Sequence, residues 1–180
     1  MTIHPLPHLW LLSDARNDAV LEQALGRLPE GSGFVFRHYH LDGEDRRKRF
    51  AMLRSICRSK NHLLVLAGPP DLVGEWGADG VYGSPGSLGN AAPMLHANTI
   101  IATAHDAAEI AAAEAAGADA IMLSPVYATR SHPDGAVLGA DGFHALASRT
   151  ALPVIALGGM TAERARALDV THWAAIDGLS

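Results

Sequence analysis

Pro153-Val154-Ile155-Ala156-Leu157-Gly158-Gly159-Met160-Thr161 is the segment on which the fold turns. Val154 to Leu157 is a short, wholly apolar run without the polar alternation of a half-exposed strand, so it reads as a strand buried on both faces. Two glycines then allow a sharp turn, and Thr161 is a residue type that starts helices, which places a helix over Ala162–Leu168. A buried strand that opens through a glycine turn into a helix is one unit of a parallel sheet.

The unit recurs along the chain. Further strands are predicted at Leu9–Leu12, Phe34–Arg37, Leu63–Leu66, Gly80–Tyr82, Thr99–Ala102, Ala120–Leu123 and Trp173–Ile176, eight in all with Val154–Leu157. Helices are predicted over Asp18–Leu28, Asp45–Arg58, Asp71–Trp76, Asp106–Ala116 and Gly142–Ser148, with a turn or short helix around Ser87–Leu95. Asp106–Ala116 is the clearest, because alanine has the best helix propensity and Gly117 supplies a stop. An open doubly wound sheet shares this alternation, but eight strands with short spacers fit closure into a (β/α)8 TIM barrel of eight parallel strands.

Such barrels typically run to about 250 residues, against 180 here. No linker or low-complexity tract divides the chain, so one domain is expected over 1–180. Only Asp177–Ser180 follow the eighth strand, so the barrel is expected to be truncated there. Apolar surface near the first and eighth strands, and self-association into a homo-oligomer to cover it, would follow. Gly77-Ala78-Asp79 and Gly117-Ala118-Asp119 each precede a strand and read as repeated turn chemistry rather than as a long internal repeat.

Composition narrows the function. With 48% hydrophobic and 18% charged residues the chain can bury a core and is not disordered. A formal charge of -5 argues against nucleic acid as a partner, since that affinity rests on clustered cations. The basic run Arg46-Arg47-Lys48-Arg49 is expected to form a solvated helix face. The single cysteine, Cys57, lies in the helical run Phe50–Cys57 and is expected in the core. It leaves neither a disulfide framework nor a zinc thiol cluster, which points to the reducing cytoplasm. Met1–Pro7 has no export pattern, and no apolar run nears the roughly 20 residues of a membrane span, so no membrane partner is expected. Of the ten histidines, His38 and His40 are two apart and would share one face of a strand. No third ligand is assignable, and no metal site is predicted.

Chemistry concentrates on one rim. In a barrel, the loop after the seventh strand is a frequent phosphate site together with that after the eighth. Gly158 and Gly159 would let main-chain N–H groups approach an anion, helped by the following helix start. On the same rim, after the sixth strand, comes Ser124-Pro125-Val126-Tyr127-Ala128-Thr129-Arg130-Ser131-His132. Thr129 and Ser131 offer hydroxyls, Arg130 a charged fork and His132 a titratable ring, a set suited to phosphate oxygens. A phosphorylated small molecule is therefore the expected ligand, held where 124–132 and 158–161 converge.

With these segments in view, the chain resembles the thiamine phosphate synthase/TenI family of barrels. The likeness runs from Leu9-Trp10-Leu11-Leu12-Ser13-Asp14 to Ala174-Ala175-Ile176-Asp177. Its most specific parts are Ala104-His105-Asp106, Gly117-Ala118-Asp119, Ser124 to Ser131 and Pro153 to Met160. The resemblance implies a reaction in which an aminopyrimidine diphosphate loses pyrophosphate with Mg²⁺ help and the resulting cation is captured by a thiazole phosphate. It implies that Thr129 and Ser131 lie near the thiazole phosphate and that Gly158-Gly159 cradle it. Thr103 would match a serine beside the pyrimidine or its diphosphate, and Arg37 the basic residue of a Gln-Leu-Arg-Glu-Lys segment.

The chain departs from that pattern elsewhere. Ala67-Gly68 stand where the synthases carry Asn-Asp, and Ser87 stands near their second aspartate, so the carboxylates expected to hold Mg²⁺ are missing. Tyr39 and His132 replace two lysines. These losses resemble the TenI branch, a thiazole tautomerase, yet the histidine of its Gly-His-Val-Phe segment falls on Pro125, which moves no proton. The remaining acid/base candidates are His132 and His105, with His38 beside them. His105 reads equally as a helix-start residue with a structural hydrogen bond. Asp177 stands where the family tends to have a serine near the phosphate and would repel an anion unless neutralised. The first expectation is an enzyme, a synthase-like transferase; a tautomerase with a substituted acid/base and a non-catalytic thiazole-phosphate-binding protein are the alternatives.

Overall fold

In a computed structural model, which describes residues 5–89, 98–129 and 135–179, eight parallel strands close on themselves in sequence order. They are β1 (Leu9–Leu12), β2 (Gly33–Phe36), β3 (Leu63–Ala67), β4 (Gly80–Gly83), β5 (Thr99–Ala104), β6 (Ala120–Leu123), β7 (Val154–Leu157) and β8 (Trp173–Ala175). β8 pairs back onto β1 with Leu9 opposite Trp173, completing the barrel. The helices are α1 (Leu21–Arg27), α2 (Gly43–Ser59), α3 (Leu72–Trp76), α4 (Pro85–Leu88), α5 (Ala107–Ala115), α6 (Gly139–Ala147) and α7 (Ala162–Leu168).

The sequence-predicted strands are all present, with shifted ends. β3, β4 and β5 run further than expected, β8 stops at Ala175, and β2 ends at Phe36, so Arg37 lies just beyond its strand. A 3-10 turn at Asp18–Val20 precedes α1. The region near Ser87 forms the four-residue α4, capped by the Ser84 hydroxyl, which accepts from the Ser87 amide. Asn90 to Leu95 lies outside the described residues.

Alternation along each strand divides the apolar residues between two cores. Trp10, Leu12, Val35, Val65, Tyr82, Ile101, Met122 and Ile155 fill the barrel. Their neighbours Leu11, Phe34, Phe36, Leu64, Leu66, Ile121 and Leu123 pack outward against helix residues such as Leu25, Phe50, Leu53, Ile110 and Leu168. Inside the barrel, Trp10 is in register with Gly33. A Cβ at position 33 would lie 2.2 Å from the indole, so only glycine leaves room for it.

The two Gly-Ala-Asp triplets do the same work. Gly77 and Gly117 adopt φ of 71° and 76°, left-handed values that end α3 and α5. The carboxylate of Asp79 then accepts the Leu64 amide at 2.8 Å, and that of Asp119 accepts the Ile100 amide at 2.7 Å. Each aspartate thereby locks the start of the preceding strand. α5 begins with a reciprocal cap in which Asp106 accepts from the Glu109 amide and Glu109 accepts from the His105 amide.

Two surface expectations need correction. The basic run is not a uniformly solvated face: Arg47 and Lys48 are exposed, but Arg46 and Arg49 turn inward with Phe50 and Leu53. Their spacing of three puts them on the buried side of the helix. The large apolar side chains of β1 and β8 are buried or half-buried, and among the described residues the exposed large hydrophobics are Val20, Tyr39, Met52 and Val137. Cys57 is fully buried, and burial pushes its thiol up to about 12. Among the described residues, no helix is long and apolar enough to cross a membrane.

Candidate ligand site at the strand ends

A cavity of about 1360 Å³ opens over the carboxyl ends of the strands. That exceeds the roughly 300–1,000 Å³ of ordinary small-ligand pockets and leaves room for more than one ring. Every strand end reaches its wall, from Arg37 after β2 and Gly68 after β3 to Gly158 after β7 and Asp177 after β8.

The segments after β6 and β7 meet there. The Val126 amide donates to Leu157 O at 2.9 Å and the Tyr127 amide to Gly158 O at 3.0 Å. Gly158 has φ 104°, and a Cβ on it would lie 2.8 Å from Pro125 Cα. Gly159 has φ 60°, and a Cβ on it would lie 2.6 Å from Ala128 O. Both positions demand glycine, and both offer the cavity main chain alone. Thr129 lies on the same wall. Arg130, Ser131 and His132 fall outside the described residues. The helix start contributes less than the sequence suggests, because α7 has only seven residues and the Thr161 hydroxyl already accepts the Arg164 amide.

Across the cavity, after β2, stand Arg37 and Tyr39, while Thr103 lines it from β5, next to β6. Arg37 Nη2 is 3.9 Å from Asp14, and its guanidinium lies 5.5 Å from the Tyr39 ring. Asp177, the carboxylate that would repel an anion, is bridged by Arg16 at 3.4 Å. Arg16 also holds Asp14 at 3.0 Å. Burial alone would raise the Asp14 carboxyl, but hydrogen bonds and charge from Arg16, with the charge of Arg37, hold it below its ordinary value. His105 sits at the cavity mouth, exposed, with Nδ1 2.7 Å from Glu109.

His38 does not belong to the wall. It follows the end of β2, with φ 35°, so the strand geometry expected to align it with His40 is absent. It is completely buried, with Nε2 2.7 Å from Asp18 and Nδ1 2.7 Å from Ser13 Oγ. An ionised Asp18 accepts a hydrogen bond from Nε2–H, so Nδ1 accepts from the Ser13 hydroxyl, which in turn accepts the Arg37 amide at 2.7 Å. Burial holds the His38 imidazole below its usual proton affinity, outweighing Asp18. His38 is thus a structural histidine that fixes the main chain of Arg37. Asp18 is also the third group, close to His38 and His40, that the sequence did not offer for a metal: their ligand atoms lie within 4.8 Å. Its carboxylate already receives Arg49 Nε at 2.7 Å, which puts a guanidinium in the place of a cation.

The wall between β3 and β4 is built differently. Gly68, Pro69, Pro70, Gly83, Ser84 and Ser87 line it, and Asp177, at another strand end, is the only carboxylate among the described lining residues. The Ser87 hydroxyl donates to Ser84 O at 2.8 Å. Behind this wall, Arg46 donates to Arg37 O at 2.9 Å and to Ala67 O at 2.6 Å. Its guanidinium lies about 5.5 Å from the rings of both Phe36 and Trp76. Arg46 Nη1 is the nearest atom to a Cβ built on Gly68, at 3.6 Å.

The thiamine monophosphate synthase (TMP-TENI) family pattern matches residues 10–178. The chain is 37% identical over 160 residues to the thiamine biosynthesis bifunctional protein ThiM/ThiE of Symbiobacterium thermophilum, covering 86% of this chain but 33% of that longer protein. It is 29% identical over 148 residues to the thiamine-phosphate synthase of Chloroflexus aurantiacus, covering 81% of this chain and 67% of that one. Its fold superposes on the thiamine phosphate pyrophosphorylase from Pyrococcus furiosus with a TM-score of 0.78 at 24% identity, over 93% of this chain and 84% of that one.

Proposed function

The chain belongs to the thiamine monophosphate synthase family, and from that premise we propose that it serves thiamine biosynthesis as a barrel that binds a thiazole phosphate. The phosphate would sit where the segments after β6 and β7 join. The observation that carries this reading is the junction of Tyr127 with Gly158 at 3.0 Å, which exposes bare main chain to the cavity beside Thr129. Gly158, Gly159 and Thr129 would hold the phosphate oxygens, with Arg130 and Ser131 assigned to them by sequence. Arg37, across the cavity, and Thr103, on β5, would face the rest of the ligand.

Coupling a thiazole phosphate to an aminopyrimidine diphosphate draws on Mg²⁺ in the reaction the family likeness implies. Among the described residues, those at the strand ends after β3 and β4 do not fit that ion. Ala67 and Gly68 bring no oxygen-bearing side chain, Ser87 offers a neutral hydroxyl where a carboxylate would be needed, and Arg46 sets a positive charge behind Gly68. Mg²⁺ is a hard cation that needs oxygen ligands and is repelled by a guanidinium. Transfer is the second reading, favoured by Arg37 and Thr103 on the wall. In it His105, together with His132 by sequence, would supply acid/base chemistry.

Calorimetric titration with thiazole phosphate tests the first reading. Saturable binding is expected, changed less than about twofold by Mg²⁺ or EDTA, as a wall whose described residues hold no paired carboxylates requires. Incubation with both precursors and Mg²⁺ is expected to release no pyrophosphate. Release of pyrophosphate would replace the binding reading by the transfer reading, and failure to bind thiazole phosphate at all would end both.

A further inference from the structure

Three arginines line the described cavity wall, Arg16, Arg37 and Arg164, and their electrostatic settings differ. Arg16 bridges Asp14 and Asp177, and Arg37 approaches Asp14, so two cations there face two carboxylates. Arg164 has no carboxylate within ion-pair reach among the described residues, and the sequence reading did not single it out. Its amide is tied to the Thr161 hydroxyl at 3.2 Å, which fixes its place in the first turn of α7. Its guanidinium folds back over the glycine turn, donates through Nη1 to Gly159 O, and lies 4.8 Å over the Tyr127 ring. One N–H is used and one face is stacked. The remaining donors of a group that carries five are uncommitted among the described residues.

We propose that Arg164 is the phosphate-binding cation of this cavity and makes the site selective for a phosphate monoester over the corresponding alcohol. The inference deepens the thiazole-phosphate reading and rests on it for the identity of the ligand, but the arginine's role concerns the phosphate alone. Held by both loops, the guanidinium is ordered before any ligand arrives, so little further side-chain freedom is lost on binding. Nearby, two cations, Arg16 and Arg37, balance two carboxylates, Asp14 and Asp177, so Arg164 at the glycine turn is the positive charge on the described wall that no carboxylate balances. A charge-assisted fork to phosphate oxygens forms where the main chain of Gly158 and Gly159 reaches the same wall.

The test titrates wild type, Arg164→Gln and Arg164→Lys with thiazole phosphate, the thiazole alcohol and inorganic phosphate, at low and high salt. Arg164→Gln is expected to weaken thiazole phosphate at least about tenfold, to leave the alcohol within about twofold, and to flatten the salt dependence, with Arg164→Lys between. Unchanged melting of Arg164→Gln would confirm that the fold is intact, as expected for an exposed side chain. Equal loss for the phosphate ester and the alcohol, or no loss for either, overturns the proposal. If wild type ignores thiazole phosphate yet binds inorganic phosphate in an Arg164-dependent way, the ligand assignment falls and the role of Arg164 stands.

Discussion

The wall after β6 and β7 and the wall after β3 and β4 are both made of glycines and prolines at strand ends, but they restrict the chain in opposite ways. At Gly158 and Gly159 the backbone is left-handed and neighbouring main chain lies within 3 Å of any added Cβ. At Gly68 the backbone does not enter that region, and the nearest atom is the end of a flexible arginine at 3.6 Å. The first wall is fixed by two loops bonded to each other. The second is a lining with no carboxylate among its described residues, backed by the half-buried cation Arg46. Rigid main chain beside an unneutralised guanidinium suits an anion, whereas the opposite wall lacks what a divalent metal needs.

The largest effect expected from this contrast is on stability. Gly158→Ala combines left-handed strain with overlap on Pro125 and is expected to cost about 3 kcal/mol in urea unfolding, while Gly68→Ala should stay within about 0.5 kcal/mol. Similar costs at the two sites would break the contrast. Arg46→Ala sharpens it from the other side. The carbonyls of Arg37 and Ala67 lose their donor and the space between Phe36 and Trp76 empties, at a cost of about 2 kcal/mol, whereas exposed Arg47→Ala should be near neutral.

A smaller effect should come from pH. His38 is held below its ordinary 6.5 by burial, as is His62, so the folded state binds fewer protons than the unfolded chain just below that value. Their contribution is complete above pH 6.5 and declines as pH falls toward their lowered values. A second loss follows at more acid pH, through the lowered carboxyls of Asp14, Asp18 and Glu22. Urea midpoints measured from pH 8 to pH 4 check both stages. His38→Gln should flatten the first, and an unaltered slope would remove His38 from the account.

Much of the fold was legible because burial on both faces leaves short apolar runs, and all eight became strands. The ends were less legible, since Ala67, Gly83 and Ala104 carry no signal that separates strand from loop. Arg46 was misread because four consecutive cations look like solvent-facing charge; its spacing to Arg49, Phe50 and Leu53 held the contrary signal. The spacing of His38 and His40 reads as one face of a strand, but β2 ends at Phe36, and period-two reasoning does not survive a left-handed turn. The convergence of Gly158 with Tyr127 could be anticipated from barrel topology. Arg164 could not, because in Ala162-Glu163-Arg164-Ala165-Arg166 it looks like any surface helix arginine, and only the fold brings Tyr127 beneath it.

Trp10 and Gly33 tie two distant parts of the chain to a shared history. A methyl group at position 33 has no room until the indole at position 10 is exchanged for something smaller, and shrinking position 10 first leaves a hole inside the barrel. Neither step is neutral alone, so these two sites are expected to drift only as a pair, each holding the other where it is.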